Sequence, residues 1–312
     1  MKSPMRFTSV LVLAGVLTVG AALPSYGTDP FRTAAQKPRT SIGNKTTKAF
    51  ELMFRQGNFP EAVKQIDLAL ASPEDNRDPL IYAMRASVGF VRNNLDEMRQ
   101  YGAEVRKYAF TLRRTDRIRF HLYTGVSDLI DAGYIFRSQG ITSAGRVLPI
   151  VNRALEHIRT AQEIDPKDPE VNLIKGFMDI LIASAMKGSE LDSALVSLRD
   201  YARPDYLRWR GIAMAYRDAK RNAEALDAIN KAIDSASGKT NPPPNQVGNP
   251  DLSYLKAQIL RMNGRRSESL EYFLAALAQA RQLPPQTLDA VKIECRNLLT
   301  ELGRPGVCPS AM

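Results

Sequence analysis

The chain has 312 residues, 44 % hydrophobic and 24 % charged, with a formal net charge of +10. That balance excludes a wholly disordered chain. The low aromatic share of 7 %, with Ala and Leu frequent, points to helices packed closely through small side chains. The basic excess favours acidic partners or an anionic surface.

Residues 1–27 read as a secretory leader. Lys2 and Arg6 precede an apolar run from Phe7 to Leu23, Pro24 breaks it, and Ser25-Tyr26-Gly27 supplies small residues at the cleavage positions. An uncleaved anchor is the alternative, because the run is close to spanning length. The leader carries two of the positive charges and no acid, so the basic excess outlasts its removal. Residues 28–44 read as a polar, extended N-terminal arm, with Pro30, Pro38 and Gly43 and no helical period.

From residue 45 to 282 apolar residues recur at helical spacing, with no period-2 alternation, so helices without a sheet are expected. Gly57-Asn58-Phe59 with Ala62, Ile66 and Ala69 marks a turn and a second helix. Pro79 to Tyr82 with Ala86, Leu95 and Met98 gives another pair, and Ala154, Ile158 and Ala161 before Asp165-Pro166 close a third. Pro169 and Gly176 with Ala194 and Leu198 make a fourth. Trp209, Ile212, Ala213 and Tyr216, then Ala225, Ile229 and Ala232, make the fifth, and Pro250, Ala257, Gly264, Ser269, Phe273 and Ala276 the sixth. Inserted loops are expected at Ser138–Arg146, Lys187–Ser189 and Gly238–Asn249, the last with a Pro-rich polyproline II stretch. Residues 283–312 read as a capping helix, over about Pro285 to Leu302, and a tail.

The fifth pair has the spacing W-x2-I-A-x2-Y followed by the alanines of a second helix, and so resembles the tetratricopeptide (TPR) repeat. The resemblance covers roughly residues 45–281. It implies an all-α, right-handed α-α superhelix of about six helical pairs plus the capping helix. The stretches Asp29 to Thr33 and Ser41 to Thr46 are similar to those of an uncharacterised family of exported cyanobacterial TPR proteins. That resemblance implies a periplasmic or thylakoid-lumen address and no activity. In TPR proteins the residues after the signature positions line the concave groove. Here they are Arg210, Met214 and Arg217, then Tyr254, Gln258 and Arg261. The resemblance thus implies a groove for a protein or peptide partner, including an acidic one, of the kind used by an assembly or maturation scaffold.

Catalytic signatures are absent. His121 and His157 stand 36 residues apart without ligand-type neighbours at metal spacing, so neither is expected to act as a ligand. Gly140 and Gly145 are followed by Arg146-Val147, not by the Lys-Ser/Thr of a phosphate loop. No catalytic residue, metal or cofactor is assigned, and an envelope enzyme on a helical superhelix ranks below binding. A second binding reading is a basic patch at Arg113, Arg114, Arg117 and Arg119, suited to an anionic envelope surface or glycan. Nucleic acid is not an expected partner of an exported chain. Cys295 and Cys308 are expected to form a disulfide that pins the tail.

Overall fold

The computed structural model describes residues 29–32, 42–185, 191–304, 306 and 308. The leader at 1–27 and the loop at 187–189 lie outside the described residues. Among the described residues every regular element is helical, and none is long and apolar enough to cross a membrane.

The helices pack as consecutive pairs, as a helical solenoid does. In chain order they are α1 (Asn44–Phe50), continued by a π-turn (Glu51–Arg55), with α2 (Phe59–Leu70); α3 (Pro79–Val91) with α4 (Leu95–Thr111); and α5 (Arg117–Gln139) with α6 (Ala144–Ile164). Then come α7 (Pro169–Ala185) with the short α8 (Leu191–Ala194) and α9 (Val196–Asp200), α10 (Asp205–Asp218) with α11 (Asn222–Ser237), and α12 (Pro250–Met262) with α13 (Arg266–Ala278). The last helix, α14 (Pro285–Glu301), stands alone at the end.

Local chemistry sets these boundaries. Asn58, Asp78, Asn94, Asp116 and Asn249 each accept a backbone N–H in the first turn of the helix that follows. Pro79 and Pro250 occupy first-turn positions, where no N–H is needed. Within pairs, small residues allow close approach. Ala62, Ala154, Ala225 and Ala232 are fully buried. A Cβ on Gly89 would lie 2.7 Å from the Met98 nitrogen, and one on Gly125 2.9 Å from the Ala154 oxygen. Ser269 fills the alanine position of the sixth pair and donates its hydroxyl to the Ala257 carbonyl at 2.7 Å.

Two expectations are corrected here. The insertion at Ser138–Arg146 is not an open loop: α5 runs to Gln139, one 3₁₀ turn follows, and α6 begins at Ala144. The arm is not simply extended, because Asp29–Arg32 forms a turn inside the protein. The Asp29 carboxylate accepts the Phe31 N–H at 3.0 Å, and Phe31 is buried edge-on against Phe50, ring centres 5.1 Å apart.

A buried charge cluster holds this turn. Arg119 of α5 donates to both oxygens of Asp78 at 2.7 and 2.9 Å, lies 3.2 Å from Glu170 and stacks over the Tyr123 ring. Arg32 reaches Asp168 at 2.9 Å and Asp29 at 3.3 Å. The turn, α3, α5 and α7 are thereby joined through groups shielded from water, where a charge left without its partner is costly.

The solenoid also closes on itself. Asn249, 2 % exposed, accepts the Asp251 and Leu252 N–H groups that open α12. Its amide nitrogen donates to the Phe54 and Arg55 carbonyls at 3.3 and 3.0 Å. All four hydrogen-bonding positions of the side chain are engaged. Gly57, at φ +63°, leaves the room: a Cβ there would sit 2.4 Å from the Asn249 oxygen. Arg55 donates to the Ala236 carbonyl at 3.0 Å, and Tyr206 pairs with Glu51 at 3.3 Å. The first pair therefore packs against the fifth and sixth.

Asn249→Ala is expected to cost about 2–3 kcal/mol, from the lost cap and two carbonyls left without donors. Asn249→Asp keeps the cap but turns a carboxylate oxygen toward those carbonyls, and is expected to cost at least as much. Urea unfolding checks both; a wild-type midpoint for Asn249→Asp would contradict the closure.

Candidate functional site: an apolar cavity inside the closed solenoid

Closure converts the concave face into a cavity of about 530 Å³. That is within the range of small-molecule sites. Its apolar wall is built from Met84 and Val91 on α3, Val126 on α5, Ile174 and Phe177 on α7 and Leu207 on α10, while α12 contributes only Asp251. The π-turn adds Met53 and Phe54, and the N-terminal turn adds Phe31. Met53, Phe54, Val91, Ile174 and Phe177 all remain partly accessible, although each packs against the core or its edge. Their exposure converges on one space and is not scattered over the surface. Helices α3 and α7 are apolar on both faces because one face meets their neighbours and the other meets this cavity.

One polar corner interrupts the wall. Arg210 donates its Nε to Asp251 at 2.7 Å, and the Asp251 carboxylate raises the guanidinium's pKa against the opposing effect of burial. The pair is net neutral and partly exposed. Thr287 of α14 lines the same cavity.

Tyr123 lines the cavity as well and joins it to the buried charges by donating its hydroxyl to Glu170 at 2.5 Å. Burial is the main force on Glu170, pushing its carboxyl up to about 7. Arg119 opposes the shift, while Asp29 and Asp168 add to it. Burial likewise raises Asp29.

The groove residues are brought together, but as a ladder running from α10 to α12 and on to the terminal α14. Arg210 pairs with Asp251, and Arg217 donates to Gln258 at 2.7 Å. Tyr254 and Gln258 both donate to Glu294, at 2.5 and 2.9 Å, and Arg261 pairs with Glu301. Met214 packs against the core. Only Arg210 of the six lines the cavity. The three guanidinium groups thus have acceptors within the chain, and the partners lie 40 or 41 residues along. That interval is the sequence trace of the ladder.

The basic patch is corrected at one position. Arg113, Arg114 and Arg117 are exposed, but Arg119 is only 2 % exposed and is consumed by the buried cluster. Two residues place Arg117 and Arg119 on opposite faces of α5: Arg119 points inward from the first turn, toward two carboxylates that its sequence neighbours do not reveal. The histidines are also closer than their separation suggests, with the two Nδ1 atoms 3.2 Å apart between α5 and α6. Burial, then His157 and Arg117, lower the His121 pKa. Among the described residues no group of three or more His, Cys, Asp or Glu could hold a metal. Cys295 and Cys308 are joined in a disulfide.

No protein-family model matches the chain, and comparison with curated proteins finds no detectable relative.

Glu170 gives a pH signature. Its folded pKa exceeds the unfolded value of 4.5, so between these values the folded state holds a proton that the unfolded state has lost. The stabilising contribution is present below about 4.5 and is lost as pH rises through about 7. Glu170→Gln should therefore gain stability relative to wild type between about pH 5 and about pH 8, on the order of 2 kcal/mol. Thermal melts of both proteins across that range check it; a constant difference would mean that Glu170 is ionised throughout.

Proposed function

We propose that this protein is a non-catalytic binding protein that holds a neutral, lipid-like molecule inside its closed solenoid. The observation that carries the reading is the cavity of about 530 Å³ into which the first pair's opening helix and π-turn, α3, α5, α7 and α10 turn apolar side chains. The occupant follows from the wall. Aromatic and thioether side chains such as Phe54, Phe177 and Met84 suit a long apolar body. The Arg210–Asp251 pair offers both a donor and an acceptor with no net charge, which suits a hydroxyl or carbonyl end and not an ionised one. The basic, apolar leader motif at 1–27 supports work in an exported compartment.

Displacement of a fluorescent apolar probe by 1-hexadecanol and by palmitate tests the reading. Hexadecanol is expected to displace the probe saturably, with palmitate at least about tenfold weaker. Ala83 lines the cavity, so Ala83→Phe should fill it and weaken hexadecanol by about tenfold or more without loss of a core contact. No saturable displacement, or equal displacement by Ala83→Phe, overturns the reading.

A protein partner held for assembly or maturation is the second reading. It is favoured by the partly exposed polar ladder along α10, α12 and α14. Arg210→Ala with Arg217→Ala is then expected to abolish capture of a defined partner while the melting temperature changes little, since such accessible pairs contribute only about 0–1 kcal/mol each. Partner capture unchanged in this variant removes the ladder as its site.

A further inference from the structure

We propose that the tip of the α5–α6 hairpin is a membrane-docking element that inserts its apolar side chains into an anionic lipid surface. The surface is independent of the interior cavity. Arg137 anchors the last turn of α5, donating to the Asn93 side chain at 2.7 Å and lying 4.8 Å over the Phe90 ring. Past this contact the hairpin is uncovered, and residues 136–142 are all exposed.

Among the polar side chains of the turn and the helix ends beside it stand three large apolar ones that face solvent. Ile141 is 82 % exposed, Leu148 61 % and Phe136 50 %. They are flanked by cations alone: no Asp or Glu occurs between Asp131 and Glu156, while Arg137, Arg146 and Arg153 do. Arg153 is paired with Asp128, but Arg146 is exposed and makes no contact with an acid among the described residues. Apolar side chains at a projecting tip with basic neighbours are the makings of an interfacial anchor on anionic lipid.

Other occupants fit less well. A stable protein interface needs about 800 Å² from each partner, far more than three side chains at one hairpin tip. A symmetric contact between two copies would place the same arginines against each other. A bilayer surface needs no matching shape, takes up even a few apolar side chains, and its phosphates complement the charge.

The tip is also remote from the exposed Arg113, Arg114 and Arg117, which lie at the other end of α5. A helix of its 23 residues is about 35 Å long. The two regions can therefore be tested separately.

The experiment is flotation of the full chain with vesicles of phosphatidylcholine alone or mixed with phosphatidylglycerol. The wild type is expected to float with the mixed vesicles and only weakly with phosphatidylcholine. Ile141→Ser with Leu148→Ser should lower the bound fraction by about tenfold or more, and Arg146→Ala by about fivefold. All three positions are exposed, and unchanged circular dichroism melts would confirm intact folding. Arg113→Ala with Arg114→Ala and Arg117→Ala should bind as wild type does. Failure of the wild type to float overturns the proposal. So does full binding by the double tip variant, loss of binding in the Arg113 triple variant alone, or a wild-type dimer that the tip substitutions dissociate.

Discussion

The structure depends on one closure. A solenoid of helical pairs normally leaves its concave face open, because each pair needs only its neighbours. Here Asn249 caps α12 and at the same time satisfies the carbonyls that end the π-turn of the first pair. With Gly57 making space and Arg55 and Tyr206 bonded across the same seam, the inner stripes of the first helices face a shared interior. The apolar wall, the neutral Arg210–Asp251 corner and the buried turn Asp29–Arg32 all acquire their meaning from that geometry.

Polar groups inside such an interior must find partners within the chain. Arg119 shows how this is met, with two oxygens of Asp78, the edge of Glu170 and the face of Tyr123 around one guanidinium. Asp128 is a parallel case nearer the surface. It takes Arg106 from α4 and Arg153 from α6, and the two together hold its carboxyl below the ordinary range against the opposing effect of burial. These clusters tie three or more elements at a time, which ordinary pair packing cannot do.

The helical pairs were legible because their cause is local. Alanines such as Ala154 and Ala225, capping Asp and Asn residues, and helix-initial prolines leave a periodic trace. The closure was not legible, since Asn249 reads as a helix cap whether or not its amide nitrogen meets Phe54, almost two hundred residues away. The same holds for Arg119, whose partners arrive from α3 and α7, and for the two histidines, which meet only because α5 and α6 pack antiparallel. The groove residues share one face of α10 and α12, as helical spacing predicts, but the acceptors 40 or 41 residues onward that take up the arginines lie beyond any helical period. The cavity leaves one trace in the sequence, the high apolar content of α3 and α7.

The buried turn has a consequence for what can share its space. Asp29–Arg32 behaves as a peptide ligand already attached to its receptor, joined to α1 by the eleven residues 33–43. A short tether of this kind presents its ligand at an effective concentration in the millimolar range. A free peptide offering a similar aromatic and basic pair would have to outcompete that local excess. A compact apolar molecule, which needs only the volume the turn leaves empty, faces no such competition. The covalent arrangement of the chain thus biases its interior against peptides and toward small molecules.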